Sequence, residues 1–387
     1  MKHLFCILLA LTVSCAPSGA GQPEIAMPQW YSNNMVLPRN KVFSISGFAK
    51  PGKKITVQID RTTLKAWAGE DGRWQVAAGP FVAARCVTLK ISSGKSRIIY
   101  DNVAFGDIWL CSGQSNMEFE VRESSSASEA AFAADPELRF YDMKCNWRTD
   151  NVAWSKTAVD SVQRHEYYKE TAWQEASPET VSRFSAIGYF FGKALRDSLK
   201  VPVGIICNAV GGSTCESWVS GDLLEAFYPE ILQGSWLENE LVMEWARGRA
   251  RKNIGTGHGE RHPYQPGYLW QAGTMPLRDC PVTGVIWYQG ESNADNIPSH
   301  NRLFPLLVDS FRSVFGEVPF YYAQLSSLNR PSWPAFRESQ AALEQCRTGL
   351  GMIVTTDLGE WTEVHYRNKK PAGERFAALA LERFYGK

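Results

Sequence analysis

The stretch Asp107-Ile108-Trp109-Leu110-Cys111-Ser112-Gly113-Gln114-Ser115-Asn116-Met117 decides the fold of this 387-residue chain. Its first five residues are apolar apart from Asp107, as in a short buried strand, and a Gly/Ser turn follows. Further strand candidates lie at helix-sized intervals, at Val203–Ala209, Val285–Tyr288, Phe320–Leu325 and Met352–Thr355. Helical periodicity is found at Arg183–Lys200 and Gly373–Phe384. This alternation predicts an α/β domain over residues 105–387, with a parallel sheet covered by helices on both faces.

Upstream of this domain, residues 22–104 have a different pattern. Short runs of alternating apolar and polar residues are separated by turn residues such as Pro51-Gly52. The strand candidates are Val42–Gly47, Lys54–Ile59, Arg73–Val76 and Val87–Ile91. The pattern predicts a small all-β sandwich that packs beside the α/β domain.

The first twenty residues, 1–20, have the form of a signal peptide. The apolar run Leu4–Val13 is too short to span a bilayer, and Ser18-Gly19-Ala20 offers a cleavage site. The alternative is a lipoprotein signal that ends at residue 14, after which Cys15 carries the lipid. Both interpretations predict an exported protein, periplasmic, extracellular or tethered to the outer membrane. No later run approaches 18 apolar residues, so no membrane span is expected.

Composition gives no sign of a nucleic-acid partner or a metal centre. Forty-one basic and 40 acidic residues leave a formal charge of +1, whereas nucleic-acid binders usually carry a clustered basic excess. The nine cysteines lack C-x-x-C or C-x-x-H spacing, which argues against zinc, and no cofactor is expected. Most are expected to be buried thiols, although a Cys207–Cys215 bridge is conceivable in an oxidising compartment.

Three loops that follow predicted strands carry residues suited to acyl transfer. The carboxyl ends of parallel strands meet at one edge of a sheet, so these loops are expected to converge. The first loop offers the hydroxyl of Ser115 as a nucleophile. The second offers a backbone N–H group at Gly212 and the third the side-chain amide of Asn293, both able to donate to a substrate oxygen. Taken alone, Ser115 could instead be a helix cap.

A serine nucleophile needs a base, which is usually histidine. The chain has six histidines, of which His3 belongs to the signal segment. His365 lies between the last predicted strand and the last predicted helix, so it too belongs to a loop at the end of a strand. His165 and His300 lie in polar stretches. His258 and His262 lie in or next to the Gly/His/Arg-rich stretch Arg247–Arg261, which lacks periodicity and is predicted to be a loop.

Four parts of the chain resemble the sialate O-acetylesterase family, which is similar in turn to acetylxylan esterases within the SGNH hydrolases. They are Phe105–Glu118 as the nucleophile block, Val285–Asn293 as the third block, His365 with Arg367–Lys369 and Gly373–Arg375 as the histidine block, and Asn34–Leu37 in the β module. The resemblance implies a flavodoxin-like three-layer α/β/α fold and metal-free removal of O-acetyl groups from sugars. It implies Ser115 as nucleophile and His365 as base, with N–H groups of Ser115 and Gly212 and the Asn293 amide as the oxyanion hole.

One position departs from the pattern of the superfamily. Many SGNH enzymes have an aspartate three residues before the histidine, where this chain has Thr362. The imidazole could be oriented by Glu363, Asp357 or Glu291, or by the main-chain carbonyl of Thr362. Glu291 is the candidate that the family's Gln-Gly-Glu block suggests.

The resemblance to the sialate O-acetylesterase family favours a carbohydrate O-acetylesterase acting on O-acetylated sialic acid or related glycans. The alternatives are an acetylxylan or hemicellulose acetylesterase and, from a different class, a catalytically silent glycan-binding protein. A lipase or protease of the α/β-hydrolase type is disfavoured because the chain has no G-x-S-x-G elbow at Ser115.

Overall fold

The computed structural model describes residues 24–257 and 259–387. The predicted signal segment, its cleavage site and Cys15 lie outside the described residues. The strands are β1 Ile25–Ala26, β2 Val36–Pro38, β3 Phe43–Ala49, β4 Lys54–Ile59, β5 Thr62–Trp67, β6 Arg73–Ala78, β7 Ala84–Ser93, β8 Ser96–Gly113, β9 Asp135–Asp142, β10 Gln174–Ala176, β11 Val203–Ala209, β12 Gly284–Tyr288, β13 Phe320–Ala323 and β14 Leu350–Ile353.

The helices lie mostly in the second part of the chain. The α-helices are α1 Ser115–Glu118, α2 Lys156–Gln163, α3 Pro178–Arg183, α4 Ala186–Leu199, α5 Gly221–Phe227, α6 Glu244–Ile254, α7 Ile297–Phe315, α8 Trp333–Leu343 and α9 Lys370–Arg383. Short 3-10 turns are found at Val121–Glu123, Ala127–Phe132, Cys215–Trp218, Pro229–Leu232, Met275–Leu277 and Thr356–Leu358, and a π-helical turn at Trp270–Thr274.

The main sheet has the strand order β10-β9-β11-β8-β12-β13-β14. Every neighbouring pair along this path is parallel except β10 with β9, so the sheet is mixed and the fold is α/β. The predicted parallel strands are confirmed. The carboxyl ends of β8, β11, β12 and β14 lie at one edge, because their register runs in the same direction.

Strand β8 joins the two parts of the chain. Its first half pairs with β7 in antiparallel fashion, and its second half pairs in parallel with β11 and β12. The expected boundary between residues 104 and 105 therefore falls inside one strand. Through β7 and β8, the strands β4 and β5 belong to the same hydrogen-bonded sheet, whereas β1, β3 and β6 form a separate three-stranded sheet. An independent sandwich module stays a prediction.

Side chains of the central strands alternate between two apolar cores. Along β8, Trp109 and Cys111 pack into a core with α4 and α9, whereas Ile108 and Leu110 pack into a core that includes α7. Strand β12 alternates in the same way. Helices therefore cover both faces of the parallel sheet, as a strand that is apolar on both faces requires.

One part of the sequence prediction was wrong. Residues 247–254 of the expected loop Arg247–Arg261 are helical and belong to α6. The buried face of α6 consists of Ala246, Ala250, Asn253 and Ile254, spaced as on one side of a helix. Two alanines and an asparagine give a weak apolar signal beside the four arginine and lysine residues of the helix, so the periodicity was not visible.

All seven cysteines after the signal segment are free thiols, so the conceivable Cys207–Cys215 bridge is not formed. Between residues 24 and 387, His258 excepted, the helices do not combine the length and hydropathy that crossing a bilayer requires.

Candidate active site

Ser115 begins α1 directly beyond the end of β8. The turn requires glycine at position 113, where φ is +134° and a Cβ atom would lie 2.1 Å from the Tyr288 carbonyl oxygen. The close approach to β12 lets the chain turn sharply, and the Gln114 N–H donates to the same carbonyl at 2.9 Å. As a result, the Ser115 side chain is half-buried and lines a large cleft.

The structure brings His365 to Ser115. The Nε2 atom of His365 lies 2.8 Å from the Ser115 Oγ atom, although the two residues are 250 positions apart. His365 belongs to the loop between β14 and α9, and its side chain is 40% exposed. Burial and the nearby Lys369 ammonium group lower the pKa of His365. A neutral imidazole is thereby favoured, and a neutral imidazole with its proton on Nδ1 can accept the serine proton at Nε2.

Of the carboxylates considered for orienting the imidazole, Glu363 is the one that lies beside it. Its Oε1 atom is 3.7 Å from His365 Nδ1 and accepts a hydrogen bond from the His365 backbone N–H at 2.8 Å. Asp357 is instead paired with Arg375 at 2.5 Å. Glu291 accepts a hydrogen bond from Asn116, and in the described part of the chain no hydrogen bond or ion pair joins it to His365. The structure therefore does not bring Glu291 to the ring it was expected to orient.

The loop after β11 is tightly bonded around Gly212. The Gly211 N–H donates to Glu118 Oε2 at 2.8 Å, and the Gly211 carbonyl accepts from Tyr264 Oη at 2.9 Å. The Gly212 carbonyl accepts from the Ser292 hydroxyl at 3.0 Å. The Gly212 N–H is left without an acceptor in the described part of the chain. Because buried backbone donors are normally paired, a free N–H beside the cleft is suited to a substrate oxygen.

Glycine is also required at position 212 by conformation and by space. Its φ is +72°, and a Cβ atom would lie 2.3 Å from Tyr264 Oη and 2.8 Å from the ring of Trp245. The N–H of Ser115 is the other donor of the predicted oxyanion hole, and it too has no acceptor among the described residues. The next loop is close to the nucleophile, since a Cβ on Gly211 would lie 3.7 Å from the Ser115 Cβ.

Asn293, the third predicted donor, is occupied elsewhere. Its amide nitrogen donates to Glu216 Oε2 at 2.9 Å, and its carbonyl oxygen accepts from the Cys215 N–H at 2.9 Å. Glu216 is fully buried, and burial raises its pKa to about 7. Asn293 is itself buried and does not line the cleft described around Ser115. The structure thus places Asn293 in a buried polar cluster that braces the Gly212 and Glu291 loops.

The cleft around Ser115 has a volume of about 1260 Å³ and a mixed lining. Trp245 and Tyr264 form an aromatic wall next to Gly212, with ring centroids 5.5 Å apart. Charged side chains line much of the rest, among them Glu118, Asp142, Lys144, Arg148, Arg249 and Arg330. A cleft of this kind can accept a polar ligand with an apolar face.

Several of these residues were missed from the sequence. Trp245 was missed because α6 was not recognised, and Tyr264 lies in a stretch without a pattern. Glu118 was inside the quoted nucleophile block, and its position three residues after Ser115 on a helix start was the available signal. Within the described ranges, His, Cys, Asp and Glu side chains form no group of three or more that could hold a metal ion, and the absence of a metal stays a prediction.

The family model described as carbohydrate esterase, sialic acid-specific acetylesterase, matches residues 105–382. The chain belongs to this family. The resemblance of the nucleophile, third and histidine blocks to sialate O-acetylesterases is thereby confirmed. The matched range contains both Ser115 and His365, together with all strands of the main sheet from the second half of β8 onward.

Individual relatives of this chain agree with the family model. The human sialate O-acetylesterase is 28% identical over 334 residues, covering 77% of this chain and 56% of the human protein. The rat sialate O-acetylesterase is 27% identical over 359 residues, covering 83% of this chain and 64% of the rat protein. The chain therefore spans between about half and two thirds of the length of these relatives. The crystal structure of a carbohydrate acetylesterase from Xanthomonas citri superimposes with a TM-score of 0.74 at 26% identity, covering 94% of this chain and 76% of the other.

Proposed function

We propose that this protein is a serine esterase that removes O-acetyl groups from carbohydrates. The observation that carries the proposal is the 2.8 Å contact between Ser115 Oγ and His365 Nε2, at the edge of a cleft that Gly212 also lines. The Gly212 N–H has no acceptor among the residues that the structure describes. A nucleophile, a base and an oxyanion donor are the groups that ester hydrolysis through an acyl-enzyme needs.

In the proposed reaction, the Ser115 oxygen attacks the acetyl carbonyl carbon while its proton moves to His365 Nε2. The tetrahedral intermediate then collapses, the bond from carbon to the sugar oxygen breaks, and His365 returns the proton to that oxygen. Water attacks the acetyl-serine in the same way, with His365 taking the proton of the water and giving it back to Ser115. The products are the free sugar hydroxyl and acetate.

The negative charge of the intermediate is stabilised by the N–H groups of Ser115 and Gly212. Both donors are fixed in the backbone, so they need no reorganisation when the charge develops. Removing one such donor typically costs about 10²–10³ in rate. A contribution from Asn293 requires its amide to leave Glu216, so the two backbone donors are the principal ones in this proposal.

The substrate that we propose is an O-acetylated sialic acid or a related glycan. The curated relatives named sialate O-acetylesterase and the family's description support it. Trp245, 38% exposed, offers an apolar ring face in a cleft otherwise lined by charged groups, which suits a sugar. Acetylated xylan or another hemicellulose is the alternative. An acetate-release screen across acetylated sialosides and hemicelluloses separates them, and faster release from the hemicelluloses would overturn the choice of sialic acid.

We also propose the finer features of fold and location. The fold is of the SGNH-hydrolase type, with residues 22–104 as an attached β module, as the similarity to the Xanthomonas structure supports. The protein is exported, as the apolar run Leu4–Val13 supports. Mass determination of the exported form distinguishes cleavage after Ala20 from a lipid on Cys15, and an intact residue 1 in the mature protein would contradict both.

The test of the enzyme proposal compares the wild-type protein with Ser115→Ala on p-nitrophenyl acetate. We expect turnover by the wild type and its loss, by about 10⁴-fold or more, in the variant. If neither protein exceeds background while both bind acetylated glycans, the chain is a silent glycan-binding protein and the proposal is wrong. Chelators are expected to leave the rate unchanged, because the proposed steps use serine and histidine alone. Loss of activity in EDTA that a metal restores would contradict this.

A further inference from the structure

The side chain of Asn116 joins the nucleophile to the loop that carries the base. Asn116 directly follows Ser115 and is fully buried. Its amide nitrogen donates to the carbonyl oxygen of Val364 at 3.1 Å, and Val364 directly precedes His365. One buried amide therefore connects the neighbours of both reacting residues, across 248 positions of sequence.

The Asn116 amide makes two further hydrogen bonds, one with a carboxylate and one with an ammonium group. Its nitrogen also donates to Glu291 Oε1 at 2.5 Å, and its oxygen accepts a hydrogen bond from the Lys369 ammonium group. An ammonium group can only donate, and carboxylate and carbonyl oxygens can only accept. This pattern fixes the amide in one of its two orientations, the one in which the nitrogen faces the His365 loop.

Lys369 is buried in a way that is unusual for a lysine. It has no exposed surface, and its ammonium nitrogen lies 3.5 Å from the ring centre of Tyr366 and 4.9 Å from that of Phe119. Burial lowers the pKa of Lys369 to about 7, whereas the charge of Glu291 raises it. A structural role alone could be filled by an apolar side chain, which would avoid the cost of removing a charge from water.

Among the side chains of the described residues, Asn116 is the one that donates a hydrogen bond to Glu291. One carboxylate oxygen accepts from Asn116, and the other, Oε2, is buried without a hydrogen bond in the described part of the chain. Burial is the main influence on its carboxyl group and raises the pKa of Glu291. Lys369 and Glu291 thus face each other across the Asn116 amide, and each lowers the cost of burying the other.

We infer that Lys369 is a positioning residue of the proposed esterase: through Asn116 its ammonium group fixes the His365 loop against Ser115 and keeps the imidazole in its proton-accepting form, with Glu291 as counter-ion. This inference rests on the proposed function. It gives Glu291 a role different from the one expected, because the carboxylate acts on the base through Lys369 and Asn116 and does not touch the ring.

The charged groups around the imidazole make the effect of Lys369 testable. The charged groups that shift the pKa of His365 are Lys369, Glu363 and Glu123. Those that shift the pKa of Lys369 are Glu291, Glu363 and Glu360. Those that shift the pKa of Glu291 are Lys369 and Arg330. Lys369 is the cation in the set around His365. A cation disfavours protonation of a neighbouring imidazole, so its removal has to raise the pKa of His365.

The test measures the titration of the His365 imidazole by NMR in the full-length protein labelled at its histidine rings. Lys369→Met removes the charge and keeps the length of the side chain. Lys369→Met combined with Glu291→Gln removes both charges and leaves no unpaired buried anion, so this second variant remains informative if the first does not fold. The matched control is Lys370→Met, because Lys370 is the next residue and pairs with Glu129 near the surface.

We expect the titration midpoint of His365 to move to higher pH in both Lys369 variants and to stay at the wild-type pH in Lys370→Met. The acid limb of kcat/KM for p-nitrophenyl acetate should move in the same direction, with a loss of about 10- to 100-fold at neutral pH from the displaced base. A midpoint unchanged in the Lys369 variants would overturn the inference. If the midpoints move but the wild-type protein shows no turnover, the proposed function fails while the charge arrangement stands.

Discussion

Two loops meet at Ser115, and they are built in different ways. The Gly212 loop is bonded by the side chains of Glu118, Tyr264 and Ser292, and the backbone N–H of Gly212 has no acceptor among the described residues. The His365 loop has little regular structure, and its reacting group is a side chain that is 40% exposed. Besides the direct contact of His365 with Ser115, the backbone of this loop is joined to the residue after Ser115 by the buried amide of Asn116.

The difference corresponds to what each loop does in the proposed reaction. An oxyanion donor has to stay in place while charge develops, so rigidity serves it. A base has to take a proton from one oxygen and give it to another, and its protonation state has to be set by neighbouring charges. We expect substitutions in the Gly212 loop to act through geometry, and substitutions around His365 to act through charge as well.

Within these two loops, the largest effect should come from the base itself. His365→Ala removes the proton acceptor, and we expect kcat/KM for p-nitrophenyl acetate to fall by about 10³–10⁴-fold or more, with the Tm close to that of the wild type. His165→Ala is the control, since His165 is a half-buried histidine that contacts the ring of Tyr268 away from Ser115. Near-full activity in His365→Ala would remove His365 from the mechanism.

Gly212→Ala tests the other loop. The new Cβ atom has to displace Tyr264 Oη from 2.3 Å and adopt a φ of +72°, so the free N–H moves away from the oxyanion. We expect a loss of kcat of about 10²–10³-fold, without a shift of the pH profile.

The matched control for Gly212→Ala is Gly221→Ala. Gly221 begins α5, and a Cβ atom there meets nothing within 4 Å. This variant should keep its activity and a Tm near that of the wild type. Equal activity of the two alanine variants would exclude Gly212 from the oxyanion hole.

The contrast between the two loops also bears on how much of the fold and of the site could be predicted from the sequence. Strands β4 and β11 have the predicted bounds, Lys54–Ile59 and Val203–Ala209, because their apolar patterns are continuous and flanked by turns. Ser115 and His365 could be paired because each follows a strand of the same parallel sheet. These patterns do not predict the order of the strands in the sheet. The shared direction of the strands was enough to predict that Ser115 and His365 lie at the same edge.

The side chains that support the reacting groups were not predictable in the same way. Asn116 contacts Lys369 across 253 positions, and Glu118 contacts Gly211 across 93. Such contacts depend on the conformation of the loops above the sheet, and the periodicity of apolar residues does not predict that conformation. Glu291 and Asn293 were recognised as important by their motif, and the structure places them beside Asn116 and Glu216, where their hydrogen bonds join one loop to another.

Substitutions of Glu118 should have a smaller effect. They test whether Glu118 acts on the Gly212 loop as a hydrogen-bond acceptor or through its negative charge. Glu118→Ala leaves the Gly211 N–H without its acceptor, so the loop should loosen and kcat/KM should fall by about tenfold. Glu118→Gln keeps a side-chain oxygen at that position and should recover most of the activity. If Glu118→Gln is as impaired as Glu118→Ala, the negative charge itself is needed, and the difference drawn between the two loops becomes weaker.

The smallest effect concerns the substrate alone. Trp245 belongs to the wall beside Gly212 and is 38% exposed, whereas Trp361, 72% exposed, lies in the loop before His365 and does not line the described cleft. Trp245→Ala should raise KM for an acetylated glycan by about fivefold, equivalent to about 1 kcal/mol of ring contact, and leave p-nitrophenyl acetate hydrolysis unchanged. Trp361→Ala should change neither rate. Should Trp361→Ala raise KM for the glycan while Trp245→Ala does not, the sugar would lie along the His365 loop, and the Gly212 loop would serve the acetyl group only.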